Sequence, residues 1–580
     1  MVIDTEKTSD EDLGKRTSAE RPITVTAGDA SDGPSNEEPV PHLHSKTFLA
    51  ILAVCLIYVA QLINLVAAGA QGQTIAGHFN DTPRVTWFTT SIAIFTVVLG
   101  PPVAQAADYW GRKHFLVILT LFGAAGSLVI ARATSMNMAI AGFCIVGISY
   151  GNQPLLHVVT SEVLPRRWRG WAQAADMTSN AVGTLIGLYV GGALNRTNDP
   201  ASDGFRYYYY MTMGFFLLAS ILCFLVYNPP PLPTQRGLTN YEKLAKLDWI
   251  GYFLLASGLV LFSVGLSYSK NPYQWTDARV SATFTVGITL SLCLVIYETS
   301  FKKDGMFHHG LFTTNRNFAI SIACVFSEGV AFFAANTYFA FEISVLFETD
   351  ALLVGVRYST MMIVSALSAC ATGYYCARTR SARWATFVAF LIFVIFFVCM
   401  ATVRKDNGGP TWGFPVIIGI ALGMTLTTLM TVAQLSTPPE LLSIASGLFI
   451  SVRSLGGTIG LAIYNAMFNE AMGHLGENVA GVVLPGGLVK EEDLGRFIGA
   501  LVAHNVTALG DIEGVDEKVI GLGADAVLDT FVAAFRQVWI AGACFVALAA
   551  GVSLFLFDPH KEFNMHIDAP VEKEEDLYLV

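Results

Sequence analysis

Fourteen runs of about twenty mostly apolar residues follow one another along this 580-residue chain, and no other feature narrows its fold so far. A helix rises about 1.5 Å per residue, so roughly 20 residues cross the ~30 Å hydrocarbon core of a bilayer. The runs cover approximately residues 47–69, 85–106, 115–133, 138–160, 171–194, 207–227, 248–268, 279–298, 317–345, 352–376, 384–402, 413–434, 444–468 and 537–557. Backbone polar groups in lipid must bond within their own segment, so the runs predict an all-α polytopic membrane protein. Composition agrees. Hydrophobic residues make up 53% and charged ones only 14%, against about 25% charged in a soluble domain, and mean hydropathy is +0.52.

An even number of spans puts both ends on one side. Residues 1–46 are polar and aperiodic and read as a disordered tail; residues 558–580 form a second, shorter one. The first long apolar run starts only at Thr47, so the N-terminus does not read as a signal peptide. Lys and Arg gather in alternate loops: Arg112 and Lys113; Arg166, Arg167 and Arg169; Arg236, Lys243 and Lys246; Lys302, Lys303 and Arg316; Arg378, Arg380 and Arg383. The positive-inside rule makes these loops and both tails cytoplasmic. The N-glycosylation sequons at Asn80, Asn195 and Asn505 then all fall outside. The one sizeable outside segment, 469–536, ends in Val527, Leu528, Phe531, Ala534 and Phe535. That spacing fits an amphipathic helix lying in the membrane interface, with a plain linker as the alternative.

Several function classes drop out. With 35 Lys+Arg against 45 Asp+Glu the net charge is −10 and no basic stripe recurs, which disfavours nucleic acid. The nine cysteines lie in or beside apolar runs without a C-x-x-C pair, so neither a disulfide framework nor a metal site is expected, nor any cofactor. A Walker loop is missing, so ATP is not the expected energy source. The chain offers no nucleophile with a base and no H-E-x-x-H, so it does not read as an enzyme. A transporter-derived receptor or sensor is the alternative from another class, but the tails are short for a signalling domain.

Runs two and three are joined by Asp108-Tyr109-Trp110-Gly111-Arg112-Lys113, an acid, a tight glycine turn and two bases. This resembles the signature of the major facilitator superfamily, with Ala104 where the family pattern begins with glycine. The run from Glu162 through Pro165, Arg166 and Arg169 to Gly170 is similar to an acid, proline, arginine-glycine stretch of the same family. The resemblance implies a major facilitator fold: six-helix bundles over 47–227 and 317–557, joined by a cytoplasmic linker, 228–316, that carries helices 7 and 8. It makes Asp108, Gly111, Arg112, Glu162 and Arg169 a conformational latch, with Glu162 paired to Arg166 or Arg169. The plainer reading is that the bases only enforce topology.

Gly183, Gly187, Gly191 and Gly192 in run five look like the antiporter motif of proton-coupled exporters, with Leu188 where that family has proline; simple small-residue packing is the alternative. Phe143, four residues before Gly147, stands where proton-linked exporters carry arginine, so a relay built on that arginine is absent or relocated. Pro438-Pro439-Glu440, Ala445-Ser446-Gly447 and Arg453 through Gly460, with Asp248-Trp249-Ile250-Gly251 and Tyr273-Gln274-Trp275, resemble a fourteen-helix fungal branch that includes trichothecene efflux pumps and, nearby, siderophore-iron transporters.

Charges at membrane depth are costly and usually functional. Glu328 and Arg453 fall near the middle of runs nine and thirteen: an unpaired Glu328 would carry a proton, whereas a permanent pair would be a strut. Glu342 and Asp176, toward helix ends where water reaches, rank lower. Tyr58, Gln61 and Asn64 on run one and Ser149, Asn152, Gln153 and His157 on run four form uncharged polar stripes. The resemblance places both runs at a central cavity, where such groups suit a bulky, neutral, oxygen-rich ligand; amide bonds that merely glue helices are the alternative. The expected function is proton-coupled efflux, at the plasma membrane, of a fungal secondary metabolite such as a trichothecene, with siderophore-iron uptake as the alternative. The expected partners are lipid, a small-molecule substrate and protons.

Overall fold

The computed structural model describes residues 41–571 except 42, 82–83, 195–203, 231–236, 238, 269–275, 303, 314, 349, 407, 486–488, 503–508, 510–511 and 513–514. The expectations for residues 1–40 and 572–580, for Asn195 and Asn505, and for the Tyr273-Gln274-Trp275 turn lie outside the described residues.

Long helices occupy all fourteen apolar runs: α1 Ser45–Ala70, α2 Thr86–Trp110, α3 Arg112–Ala131, α4 Met136–Ser149, α5 Arg169–Leu194, α6 Gly204–Val226, α7 Trp249–Tyr268, α8 Ala278–Ile296, α9 Arg316–Ala334, α10 Ala351–Thr379, α11 Arg383–Ala401, α12 Phe414–Leu435, α13 Leu442–Gly473 and α14 Glu517–Ser553. Two of them change pitch and go on. Tyr150–Asn152 tightens α4 before it continues as Gln153–Glu162, and Ala335–Phe339 widens α9 before Ala340–Leu346. The described residues contain no strand.

Twelve helices are long and apolar enough to cross a membrane, or thirteen if Asn240–Lys246 and Trp249–Gly265, bent by 47°, make one span. The long helix outside that set is α5, whose 26 residues include Gln173, Asp176, Asn180 and Thr184. Its polarity is tolerable because it packs between α1 and α10, which shield much of it from lipid.

In the first half α1 packs on α5 and α6, and α3 on α4 and α6. In the second, α9 packs on α13 and α14, α10 on α12, and α11 on α12 and α14. Between them α7 and α8 pack on each other, and α7 also touches α2. The halves meet along α5–α10 and α2–α13. Both seams rest on missing side chains: a Cβ on Gly373 would come 2.8 Å from Gly170 O, and one on Gly447 would come 2.9 Å from Ala104 Cβ. Ala104 therefore fits where the family pattern has glycine because the glycine stands on the opposing helix.

Two segments depart from the sequence expectation. The amphipathic stretch ending at Phe535 is no separate interfacial helix but part of α14, whose 37 residues reach about 55 Å, well beyond a bilayer core. Its apolar face is covered by protein instead of lipid. Val527 clusters with Val479, Val483, Phe497 and Leu501 of the short helices Leu475–Val483 and Leu494–Val502. Residues 558–571, read as a plain tail, lie docked. Asp558 accepts from the backbone N–H groups of Ala382 and Arg383 at 2.7 and 2.9 Å, capping α11. Farther on, Arg167 and Arg166 donate their backbone N–H to Asn564 O and His566 O at 2.8 and 3.0 Å, and Ala569 donates to Glu162 O at 3.1 Å. Phe563 and Ile567 are buried beneath. The segment thus straps the α10–α11 turn of one half to the α4–α5 turn of the other.

Candidate functional site

The site grows from the packing of α13 against α9. Gly456, Gly457 and Gly460 face Phe326, Phe333 and Val330, and Gly329 faces the Arg453 backbone, so the two helices run close enough for side chains at mid-length to meet. Arg453 Nε and Nη2 donate to Glu328 Oε2 and Oε1 at 2.6 and 3.0 Å, a two-pronged pair. Glu328 has no exposure, while the Arg453 side chain keeps 16% and lies over the Phe332 ring at 4.5 Å. The geometry is that of an ion pair.

Facing Arg453 from the first half stands Tyr58 of α1, whose hydroxyl accepts from Asn180 Nδ2 of α5 at 3.3 Å. The His157 ring meets the Tyr58 ring edge-on at 5.6 Å. His157 Nδ1 lies 3.0 Å from Asp176 Oδ2 and 2.9 Å from Gln173 Oε1, and Thr160 Oγ1 donates to the same Asp176 oxygen at 2.9 Å. From the other half Gln434 Nε2 donates to His157 O at 3.1 Å. Both His157 and Asp176 are fully buried, and His157 Nε2 and Asp176 Oδ1 have no hydrogen-bond partner.

Asp176 corrects the sequence reading, which put it where water reaches. The signal was available: α4 and α5 are joined by the short turn around Pro165 and Trp168, and His157 and Asp176 lie at about equal distances from it, so an antiparallel pair must face them. Glu342 is likewise buried, between α9 and α14, where it accepts from Trp539 Nε1 at 2.7 Å.

The polar stripes divide. Gln61 Nε2 donates to Ser149 O and Asn152 Oδ1 at 2.8 and 2.7 Å, Asn152 Nδ2 donates to Thr120 Oγ1 at 3.2 Å, and the Tyr150 hydroxyl donates to Gln61 O. Gln61, Ser149 and Asn152 therefore bond α1, α3 and α4 to one another. Asn64 is buried with both amide atoms unpartnered. Among the seven stripe residues only Gln153 is part-exposed, as are Asn180, Phe332 and Arg453. A groove of about 610 Å³ elsewhere, lined by Leu367, Tyr375, Trp384 and Met424, is apolar and opens among the exposed side chains of α10 and α11, away from this chemistry.

Gly183, Gly187 and Gly191 face Val59, Val66 and Gln71 of α1, while Gly192 lies half-buried on the adjoining face. Phe143 stacks on Phe88 at 4.4 Å and meets Tyr209 edge-on at 5.7 Å, an apolar slot with no room for a relay.

At the tail end Gly111 turns the chain at φ 90°, a backbone that suits glycine. The turn delivers Arg112 into a buried cluster, where Nη1 donates to Glu162 Oε2, Nη2 to Asp108 Oδ1 at 3.4 Å and Nε to Ser443 Oγ of the other half at 3.2 Å. Glu162 is thus paired with Arg112, not with Arg166 or Arg169. Those two arginines turn instead to the docked segment, Arg166 to Asp568 at 2.6 Å and to Glu562 at 2.9 Å, and Arg169 to Asp568. Burial pushes the Asp568 carboxyl up, but hydrogen bonds from Arg166 and the two guanidinium charges outweigh it and hold the group below the usual carboxylate range.

Known proteins resemble this chain in sequence and in fold. The family model described as Major Facilitator Superfamily matches residues 49–461. An MFS-type efflux transporter of Pyricularia grisea is 26% identical over 401 residues, covering 67% of this chain and 64% of that protein. The trichothecene efflux pump of Fusarium sporotrichioides is 21% identical, covering 83% of this chain and 79% of the pump. Among solved structures, the human organic anion transporter MFSD10 superposes with TM-score 0.53 at 13% identity, over 87% of this chain and 100% of that one. The proton:xylose symporter XylE gives the same score and identity over 87% of this chain and 96% of its own. The family match, the helical membrane architecture and the charged seam between two packed halves lead to one conclusion: this chain belongs to the major facilitator superfamily, as a multi-pass membrane transporter and not an enzyme.

Proposed function

We propose that the protein exports a neutral, oxygen-rich secondary metabolite, of trichothecene-like chemistry, in exchange for protons. The observation that carries the coupling is the buried His157–Asp176 pair, which touches Tyr58 on one side and Gln434 of the other half on the opposite side. A histidine can change charge near neutral pH, and a carboxylate beside it makes that charge depend on the proton. In this reading Glu328–Arg453 serves as a strut, because both Glu328 oxygens are engaged by the Arg453 guanidinium. Neutral cargo suits a lining of Gln153, Asn180, Tyr58 and Phe332, which offers amides, a hydroxyl and an aromatic face.

The outward direction draws on relatives that are efflux proteins by name. The proposal includes a cytoplasmic docked segment, which the basic loops support, and an outer side that carries Asn80, exposed between α1 and α2, at the plasma membrane.

The test is retention of a trichothecene-type toxin and of a ferric siderophore in cells with and without the protein, each with and without a protonophore. Lower toxin retention in cells with the protein is the expected result, with the protonophore abolishing the export and Asp176→Asn cutting it about tenfold or more. Toxin retention that ignores the protonophore removes the proton from the proposal, and raised siderophore-iron with toxin unchanged reverses the direction.

A further inference from the structure

The Asp248-Trp249-Ile250-Gly251 motif has no part in the transport chemistry, yet it builds a separate buried centre at the start of α7. Its partner is Glu298, in the wide turn Tyr297–Phe301 that ends α8. Asp248 is 1% exposed and Glu298 not at all. One oxygen of each carboxylate is engaged: Asp248 Oδ1 accepts from Gly251 N at 3.1 Å and from the Tyr297 hydroxyl at 3.4 Å, and Glu298 Oε2 accepts from Phe307 N at 3.1 Å. The other oxygens, Asp248 Oδ2 and Glu298 Oε1, are buried without a hydrogen-bond partner. They also converge, because a Cβ on Gly251 would lie 2.5 Å from the first and 2.7 Å from the second. The glycine of the motif is the residue that leaves this space open. Among the described residues neither carboxylate has an ion pair.

Two acceptors facing each other away from water are unsatisfied as hydrogen-bonding groups and repel each other as anions. A single proton answers both problems: the acid O–H donates to the carboxylate, and one negative charge replaces two. A hard metal cation would need about six oxygen ligands, but here the outer oxygens are already taken by N–H and O–H donors.

We propose that Asp248 and Glu298 bind one proton between them and so form a proton-held clasp in the linker between the halves. The clasp stands at a joint. The Tyr252 hydroxyl ties α7 to Gln105 of α2 in the first half, while Glu298 receives Phe307 N and lies 3.1 Å through its carbonyl from His309 Nε2, in the segment leading to α9. The titratable groups around it are Tyr252 of α7, Tyr109 of α2, Tyr297 after α8, Lys243 of the preceding short helix, and Asp304, His308 and His309 of the following loop. Asp304 is turned to solvent and paired with His308 at 3.6 Å. The shared hydrogen bond and the loss of one of two facing charges stabilise the fold while the proton is in place, and that contribution goes when alkaline buffer removes it.

The experiment is thermal unfolding of the full chain in detergent over a pH series, as wild type and as Glu298→Gln, whose amide N–H permanently supplies what the proton supplies. The wild type is expected to lose about 2 °C or more of Tm toward alkaline pH that the variant keeps; parallel curves overturn the proposal. Asp248→Asn makes the same comparison from the other side if the first variant does not accumulate. On the wild type alone, a protonated-carboxyl infrared band should disappear at alkaline pH, and its absence at neutral pH also overturns the proposal. A wild-type Tm that rises with added sodium, potassium or magnesium chloride, while Glu298→Gln stays level, assigns the pair to a metal cation instead.

Discussion

Two charged clusters join the halves of this transporter, one at the end where the C-terminal segment docks and one at mid-membrane, and they use different cations. At the docked end the positive partners are Arg112, Arg166 and Arg169, which hold their charge at every accessible pH. Such contacts break only when the halves move. Deeper in the bundle the halves meet where Gln434 donates across the seam to the His157 backbone carbonyl, with the His157 ring against Asp176. Under the proposed function the imidazole beside that carbonyl takes up the proton. The Glu328–Arg453 ion pair, proposed above as a strut, lies wholly within the second half. The contrast separates clamps from switches by the chemistry of the cation, and it assigns each cluster a different response to mutation.

The largest effect should come from the permanent pair in the membrane. Glu328→Ala leaves the Arg453 guanidinium buried without its carboxylate and should cost about 3–5 kcal/mol, seen as a collapse of folded yield and of Tm. Glu328→Ala combined with Arg453→Met should recover much of that loss. Asp176→Asn, by contrast, keeps the fold and loses transport, because an amide still accepts from Thr160 but cannot hold a carboxylate's charge. If Glu328→Ala instead folds normally and only transport fails, strut and switch have been assigned the wrong way round.

Next in size is Arg112→Lys. Charge is kept, but a lysine cannot reach Glu162, Asp108 and Ser443 together as the guanidinium fork does. A loss of about 1.5–3 kcal/mol is expected from the charged hydrogen bonds, with the equilibrium shifted toward forms open at the docked end. Accessibility of a cysteine placed at Ser443 to a water-soluble thiol reagent measures it; unchanged labelling would mean that the latch carries no conformational weight.

The fourteen helices were legible because each is a local pattern, about twenty apolar residues bounded by charge or turn residues. The Arg453–Gly460 motif was legible as a pattern, and its use, bringing α13 against α9, follows from where the glycines fall. Partnerships were harder. Asp176 was underrated because depth was judged from its place in the run, while its partner is set by the hairpin of α4 and α5. Glu162 was matched to the arginines nearest in sequence, although Arg112 arrives from fifty residues away and the nearby arginines are taken by Asp568. Residues 558–571 have no periodicity to reveal docking, since they bind through the carbonyls of Asn564 and His566, the Ala569 N–H and the carboxylates of Asp558, Glu562 and Asp568. Asp248 and Glu298 escaped notice because each meets the other only after α7 and α8 fold back together.

The smallest effect tests the other side of the comparison, the insensitivity of the arginine clamp to pH. Asp568 sits below the ordinary carboxylate range, so its contribution is present at all pH above that of an unpaired aspartate and is lost only as pH falls through its own lower value. From mildly alkaline to mildly acid buffer the docked segment should therefore stay protected, with hydrogen exchange at the backbone N–H groups of Arg166, Arg167 and Ala569 unchanged apart from intrinsic rates. Asp568→Asn removes the charge while its amide oxygen still accepts from Arg166, and should raise exchange at those three amides together by several-fold while leaving mid-membrane amides untouched. Protection that falls through the neutral range in the wild type would show that a histidine such as His566, 3.8 Å from Asp568, governs the strap, and that end of the molecule would then be a switch as well.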